Sequence, residues 1–519
     1  MGVLRYFRWL TQTYGDFYTS HNKKFSLQRN PDMFLVDCNA IFHPAFREIF
    51  FPEQKRLLRP GPVLTLEEKV EASIVNVCNK IDEMIRFVKP RKCVYLAVDG
   101  VAGCCKQSQQ RKRRFKTAKD NAEKDMSNTF DFTSLTAGTE LMFTLCERLK
   151  TYFQSRQNPY TVVINDVSIV GEGEHKLIRC IAREKVYRSF CIYSPDADLI
   201  MLSLTLCKKG ITILRENVYD DIKGDFILVN VDTLWKRMVQ DLDGNDAPNR
   251  VIIDAVLFLF MLGNDFLPNV PAVDIAYEGI SALYKYYVDI RKDQGFLCNE
   301  DKQLHQPAVV SLFKVLGEAE PALLLKKWIK SKSQWPDTVL RDSIVVGDTP
   351  QNQTIDLQRY KQGYYSRNFP EGTTVESICE EYVKGMSFVM QYYAVGIPTF
   401  DWFYPYHYAP LFSDLYTWCS NQPNLEFKFK FKKALSLTEA LVSVLPPSSF
   451  HLLPEKMRDH MITLALIDPD FPKDFKVDLE GKIMDYEGVC LLPMITYDKV
   501  KQLCKKFKCK DTEGRLFVI

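Results

Sequence analysis

Short, nearly continuous apolar runs alternate with longer stretches of helical periodicity through the first half of the chain. Met33-Phe34-Leu35-Val36, Val94-Tyr95-Leu96-Ala97-Val98 and the runs at 161–164, 190–193 and 211–214 predict strands. Residues 67–88, 140–153 and 174–187 carry apolar positions at helical spacing between them. Strands that are apolar on both faces and separated by helices indicate an α/β fold, with a parallel sheet flanked by helices.

The rhythm then changes. Residues 251–263 form the longest apolar stretch, but Asp254 interrupts it, and it falls short of the roughly 18 residues that a membrane span needs. A polar stretch at 331–374 marks a domain boundary or a wrapping connection. Beyond it lie a helix-like run at 377–393, an aromatic segment from Trp402 to Tyr408, and the alternation Phe427-Lys428-Phe429-Lys430-Phe431, which predicts a strand.

Composition narrows the class. At 519 residues, 46% hydrophobic and 26% charged, the chain suits a folded protein of two or more domains and excludes collagen-like or wholly disordered sequences. Its formal charge of +3 predicts no partner, so any electrostatic site must be local. The 15 cysteines include no CxxC pair, which excludes a zinc ribbon or a dithiol redox motif and reads as reduced thiols of an intracellular protein. Arginines at positions 5 and 8 interrupt the apolar core that a signal peptide would require.

The acids carry the first chemical signal. Asp37 and Asp99 each follow an apolar strand, and Asp196 and Asp198 follow the run that ends at Tyr193. In a parallel sheet all four project from the carboxyl edge, where open α/β folds place ligands. Glu172 and Glu174 sit between a strand and a helix start, and Asp265 follows the most apolar helix. A single strand-end acid is usually a helix cap or turn residue. Seven at comparable positions favour carboxylate ligation of hard divalent cations, and a pair of such ions can activate water against a phosphodiester.

Beside Asp99 runs a basic segment, with seven Lys or Arg and no acid from Lys106 to Lys119. On a helix, Lys106, Gln110, Arg113 and Arg114 share one face, a grip for phosphate oxygens; the bland alternative is a solvated helix or a localisation signal. His43 has no second His or Cys at ligand spacing and reads either as a base-stacking ring or as a hydrogen-bonded structural histidine. The aromatic segment containing Trp402 offers further stacking faces, most of them core rings.

Taken together, these motifs resemble the Xrn family of 5′→3′ exoribonucleases. The resemblance runs through Met1-Gly2-Val3, Phe7-Arg8-Trp9, the segment from Asp37 to His43, Asp99-Gly100-Val101-Ala102, Gln109-Gln110-Arg111 and Gly138-Thr139-Glu140. It continues through Gly171-Glu172-Gly173-Glu174-His175-Lys176, Asp196-Ala197-Asp198, Gly263-Asn264-Asp265-Phe266-Leu267-Pro268, Tyr404-Pro405-Tyr406-His407-Tyr408, Val444-Leu445-Pro446-Pro447 and Gly488-Val489-Cys490-Leu491-Leu492-Pro493.

This resemblance implies a PIN/flap-nuclease-like catalytic domain over residues 1–300, a wrapping segment over 301–375 and a second, α-rich block over 376–519. It implies processive release of mononucleotides from single-stranded RNA with a 5′ monophosphate, in RNA decay after decapping, with a decapping enzyme as a partner. Two Mg²⁺ ions, with Mn²⁺ as a substitute, would be held by Asp37, Asp99, Glu172, Glu174, Asp196, Asp198 and Asp265. Lys106, Gln110, Arg113 and Arg114 would bind the 5′ phosphate, and His43 and Trp402 would stack on bases. A monomer without a membrane partner is expected.

Leu4, Ala40, Gly103-Cys104-Cys105 and Phe400 depart from the family's usual residues. The chain stops at Ile519, before the long C-terminal extension of large cytoplasmic members; it is read as a compact member, with the cytoplasm favoured over the nucleus. Two alternatives stand beside this reading: a flap-type structure-specific endonuclease and a non-catalytic RNA-binding scaffold.

Overall fold

The structure is a computed structural model that describes residues 3, 5–27, 30–51, 64–123, 130–348, 352–507, 509 and 514–519. Met1, Gly2 and Leu4 lie outside the described residues. The chain divides into two compact units: residues 15–234, 433–473 and 495–519 form one, and residues 1–14, 235–432 and 474–494 the other. Each draws on separate stretches of sequence, so their limits do not fall at the linear divisions after 300 and 375.

The first unit is built on an eight-stranded sheet. Its strands are β1 (Tyr18–His21), β2 (Met33–Asp37), β3 (Cys93–Ala97), β4 (Thr161–Asn165), β5 (Phe190–Tyr193), β6 (Ile211–Glu216), β7 (Phe226–Asn230) and a final strand, Phe517–Val518. They lie in the order β1-β7-β6-β5-β2-β3-β4 followed by the final strand. The five strands from β6 to β4 are parallel, as their doubly buried apolar runs require. Asp37 pairs with Ala97 and Ala97 with Asn165, so β2, β3 and β4 end level with one another. That register brings the residues after each strand to one edge.

Helices Asn39–Phe50, Leu66–Val88, Cys104–Glu123, Glu140–Gln154, Gly173–Arg183 and Asp198–Thr205 belong to this unit. Thr65 and Glu68 form a reciprocal capping box at the start of Leu66–Val88, which fixes that helix where the periodicity predicts it. The sheet differs from the expectation in having antiparallel edges: β1, β7 and the final strand all pair antiparallel. β1 is a polar, partly exposed tetrapeptide and the final strand has two residues, so neither carries an apolar run to read. The helix expected over 174–187 stops at Arg183, because Glu184 turns to extended backbone and Val186 is left exposed.

The second unit is mainly helical. Pro248–Met261 is buried over most of its length, and its Asp254 accepts hydrogen bonds from Tyr287 Oη (2.7 Å) and the Leu297 (2.9 Å) and Cys298 (3.1 Å) amides. Val375–Ala394 contains the helix expected at 377–393. Residues 331–374 hold the helices Thr338–Asp342 and Leu357–Asn368 and the hairpin Ile344–Val346 with Gln353–Ile355 inside this unit. The polarity there includes cap residues: Asp337 and Asp356 accept from the first turns of those helices, while Tyr360 and Tyr364 are buried.

The alternation from Phe427 to Phe431 does not form a strand. Phe429 meets Phe388 edge-on and Phe431 is exposed, but among the described residues none pairs with this segment as a ladder; alternation supplies a face and not a partner. Among the described residues, no helix is long and apolar enough to cross a membrane, and the cysteines are free thiols.

Candidate active site

Six of the seven selected acids belong to the sheet unit. Asp37 is the last residue of β2, and its Oδ2 accepts a hydrogen bond from the Ser194 hydroxyl at 3.2 Å. Ser194 in turn accepts from the Asp196 amide at 3.2 Å, and Asp196 Oδ1 accepts from the Asp198 amide at 3.1 Å. The turn after β5 is thereby fastened to the end of β2. Asp99 lies two residues beyond β3; its amide donates to Asn39 Oδ1 at 3.1 Å, and its Oδ1 accepts from the Gly173 amide at 2.6 Å.

Gly173 sits between the two aspartates. A Cβ placed there would lie 3.1 Å from Asp37 Oδ1 and 3.2 Å from Asp99 Oδ1, so any side chain at this position would press on both carboxylates. The residues on either side of it, Glu172 and Glu174, are buried and receive Lys106 from the basic helix: its Nζ is 2.9 Å from Glu172 Oε2 and 3.5 Å from Glu174 Oε1.

So many acids in little water oppose ionisation. Burial, reinforced by Asp99 and Asp196, pushes the Asp37 carboxyl up to about 7 against the Ser194 hydrogen bond. Burial also drives Glu174 well above the carboxylate range, with Glu172, Asp196 and Asp198 adding to the shift and Lys106 opposing it. Lys106 opposes this crowding without cancelling it, and a divalent cation would relieve what remains. Glu172, Glu174 and His175 also offer ligand atoms within 4.8 Å of one another.

Sequence reasoning missed two supports. Lys176 is buried, and its Nζ donates to the Val98 carbonyl (2.7 Å) and the Asp166 carbonyl (2.8 Å), tying together the chain segments that leave β3 and β4. Burial brings its ammonium down to about 8, against the pull of Asp99 and Asp166. A lysine among the apolar positions of Gly173–Arg183 was its signal. Ser194 had only its place after an apolar strand.

The basic segment is helical from Cys104 to Glu123 and divides its duties by face. Arg114 Nη1 donates to Gln110 Oε1 at 3.1 Å, while Arg113 is exposed. Burial, then Arg113, Arg114 and Arg47, lowers His43 to about 4 and keeps the ring neutral near pH 7. His43, Gln110, Arg113 and Arg114 therefore form one neighbourhood, joined through Lys106 to the glutamates. Arg111 faces elsewhere: it donates to the Ser443 and Asp470 carbonyls and lies 4.3 Å from the Phe115 ring and 5.1 Å from the Phe471 ring, anchoring residues 433–473.

Asp265 and Trp402 belong to the other unit. Asp265 follows Asn264, whose Oδ1 accepts from the Phe266 and Leu267 amides in a tight turn. Trp402 is only 8% exposed, 4.3 Å from Phe388 between ring centres, and packed on Gly385, where a Cβ would fall 3.0 Å from the indole. Within its unit it is a core ring, which departs from an open stacking face.

Residues 1–217 match the family described as "XRN 5'-3' exonuclease N-terminus", and residues 247–354 and 352–514 match "Xrn1 helical domain". Similar proteins include 5'-3' exoribonuclease 1 of Homo sapiens (28% identical, covering 95% of this chain and 33% of that protein). They also include 5'-3' exoribonuclease 2 of Gallus gallus (25%; 95% and 69%) and of Arabidopsis thaliana (26%; 89% and 61%). The chain thus spans one third of the human relative and under 70% of the other two. Among solved structures, the catalytic core of Rad2 in complex with DNA substrate aligns at TM-score 0.31 with 11% identity, over 76% of this chain and 96% of that one, a likeness too low to carry weight. The largely parallel, helix-flanked sheet bears out the α/β expectation. The chain belongs to the Xrn 5'-3' exonuclease family.

Proposed function

We propose that this chain is a processive 5′→3′ exoribonuclease that hydrolyses RNA bearing a 5′ monophosphate to nucleoside 5′-monophosphates. The observation that carries the reading is the junction at Lys106, where a helix bearing Gln110, Arg113 and Arg114 meets the buried pair Glu172 and Glu174, next to Asp37 and Asp99 across Gly173. A phosphate grip and a set of acids on one sheet edge suit cleavage at a short fixed distance from a charged end.

Asp37, Asp99, Glu172, Glu174, Asp196 and Asp198 would hold Mg²⁺, as a pair of ions; Mn²⁺ is the natural substitute for these oxygen donors. When bound, the metal lowers the pKa of water and stabilises the leaving oxygen of the phosphodiester. The protein's own residues do the rest. Arg113 and Arg114 offer forked donors to the terminal phosphate, Gln110 fixes Arg114, and neutral His43 presents a ring to the first base. A cap or triphosphate adds charge and bulk beyond that group, so decapping or pyrophosphate removal must come first. Each cleavage leaves a new 5′ monophosphate, which gives the direction.

The test is a time course with 3′-labelled, 5′-monophosphorylated RNA in Mg²⁺ or EDTA. Loss of full-length RNA without a ladder, with release of nucleoside monophosphates only in Mg²⁺, supports the reading. Internal cuts would replace it with an endonuclease, and binding without cleavage with a scaffold.

A further inference from the structure

The final strand, Phe517–Val518, lies far in sequence from every acid, yet it pairs with the strand whose following loop leads to Glu172 and into the helix that carries Glu174. Phe517 pairs with Ile164 and Val518 with Val163, and Ile519 and Val162 exchange two backbone hydrogen bonds at 2.8 and 3.0 Å. The adjoining Gly514 is pressed onto that loop: a Cβ there would fall 2.2 Å from Ser168 Oγ, 2.7 Å from the Ser168 carbonyl carbon and 2.7 Å from Ile169 Cγ1.

From this contact a continuous path leads to the acids. Ser168 donates its amide (2.9 Å) and hydroxyl (2.5 Å) to Asp166 Oδ1, and Asp166 Oδ2 holds Lys150 at 2.6 Å. Lys150 also lies 5.7 Å from the Phe517 ring, closing the circle with the final strand. The Asp166 carbonyl is one of the two that hold Lys176. The Ile169 carbonyl lies beneath Gly100, where a Cβ would fall 2.0 Å away, and Gly100 and Gly171 are joined by a 2.9 Å backbone bond. Gly100 follows Asp99, and Gly171 precedes Glu172.

We propose that residues 514–519 are a positioning element of the metal site, a splint that fixes the 166–171 loop and through it Glu172, Glu174 and Asp99. The inference rests on the nuclease reading for its functional consequence. Supports of metal ligands typically govern affinity or activity by about 10- to 100-fold.

Two variants test it in the full chain: Gly514→Leu, which drives the splint off Ser168, and a chain ended after residue 513. Mn²⁺ binding followed by electron paramagnetic resonance, kcat and KM on 5′-monophosphorylated RNA, and amide exchange resolved by segment are compared with the wild type. Expected are Mn²⁺ half-saturation raised and kcat lowered by about tenfold or more, KM little changed, and faster exchange confined to β4 and residues 166–174. Wild-type Mn²⁺ affinity and kcat in both variants would overturn the splint, as would exchange rising equally in β2 and β5, which would mark a general stabiliser. A wild type that neither binds Mn²⁺ nor cleaves RNA would instead overturn the nuclease reading.

Discussion

Lys106 and Glu172 form an ion pair of 2.9 Å in which both side chains are largely withdrawn from water, at 12% and 5% exposure. The ammonium also lies 3.5 Å from Glu174, so one cation serves two buried acids. Lys106 therefore belongs to the acidic cluster as much as to the proposed phosphate grip, and its charge opposes the rise that burial imposes on Glu174.

Removing that cation should unsettle the metal-free protein. Breaking a buried pair typically costs about 3 kcal/mol or more, because the partner charge is stranded. Lys106→Met is expected to lower stability by about that much in urea unfolding with EDTA, and added Mg²⁺ should recover much of the loss. Equal stability of variant and wild type in EDTA would contradict the pairing.

The Asp37 carboxyl sets a pH dependence. Its folded pKa of about 7 lies above the unfolded value near 3.9, so between those limits the folded state binds more protons and stability of the metal-free protein falls as pH rises. Asp37→Asn should flatten that slope between pH 4 and 7 in thermal melts, by about one proton. Metal binding at pH 6 should release about one proton from this group, and less at pH 8, as read by calorimetry in buffers of different ionisation heat.

Gly173→Ala is expected to act while leaving every acid of the cluster in place. Its methyl would press on both Asp37 and Asp99, so Mn²⁺ affinity should fall about tenfold or more, with a smaller loss of thermal stability. Unchanged affinity would mean that the loop can move away freely.

Asp196→Ala and Asp198→Ala should each lower kcat by roughly a hundredfold or more while sparing RNA binding, since the proposed roles give them the metal and not the RNA end. Filter binding beside single-turnover cleavage separates the two. Full activity in either variant would remove it from the metal set.

The central architecture was legible because it is local: five doubly apolar runs, each followed by polar residues, place Asp37, Asp99 and Asp196 on one edge once their strands run parallel. The basic helix was legible from spacing. What stayed hidden depends on contacts distant in sequence. Nothing in Phe427–Phe431 says that it pairs with no strand among the described residues, nor in Phe517–Val518 that it finds one. Lys176 looks like a surface lysine until the Val98 and Asp166 carbonyls surround it. Arg111 reads as one cation among seven, yet it packs inward on Ser443 and Phe471.

The end grip is tested by Arg113. Arg113→Ala should erode the preference for 5′-monophosphate over 5′-hydroxyl RNA by about tenfold or more, as one charge-assisted contact of roughly 1.5–3 kcal/mol is lost. Preference measured by competition between the two RNAs should otherwise remain intact in a variant of Arg111.

The most direct measurement compares one 3′-labelled RNA carrying a 5′ monophosphate, triphosphate or hydroxyl, each with Mg²⁺ and with EDTA. The expected result is rapid loss of the monophosphorylated RNA alone, in Mg²⁺ alone, with no intermediate ladder. Equal cleavage of all three, or cleavage that persists in EDTA, would contradict it.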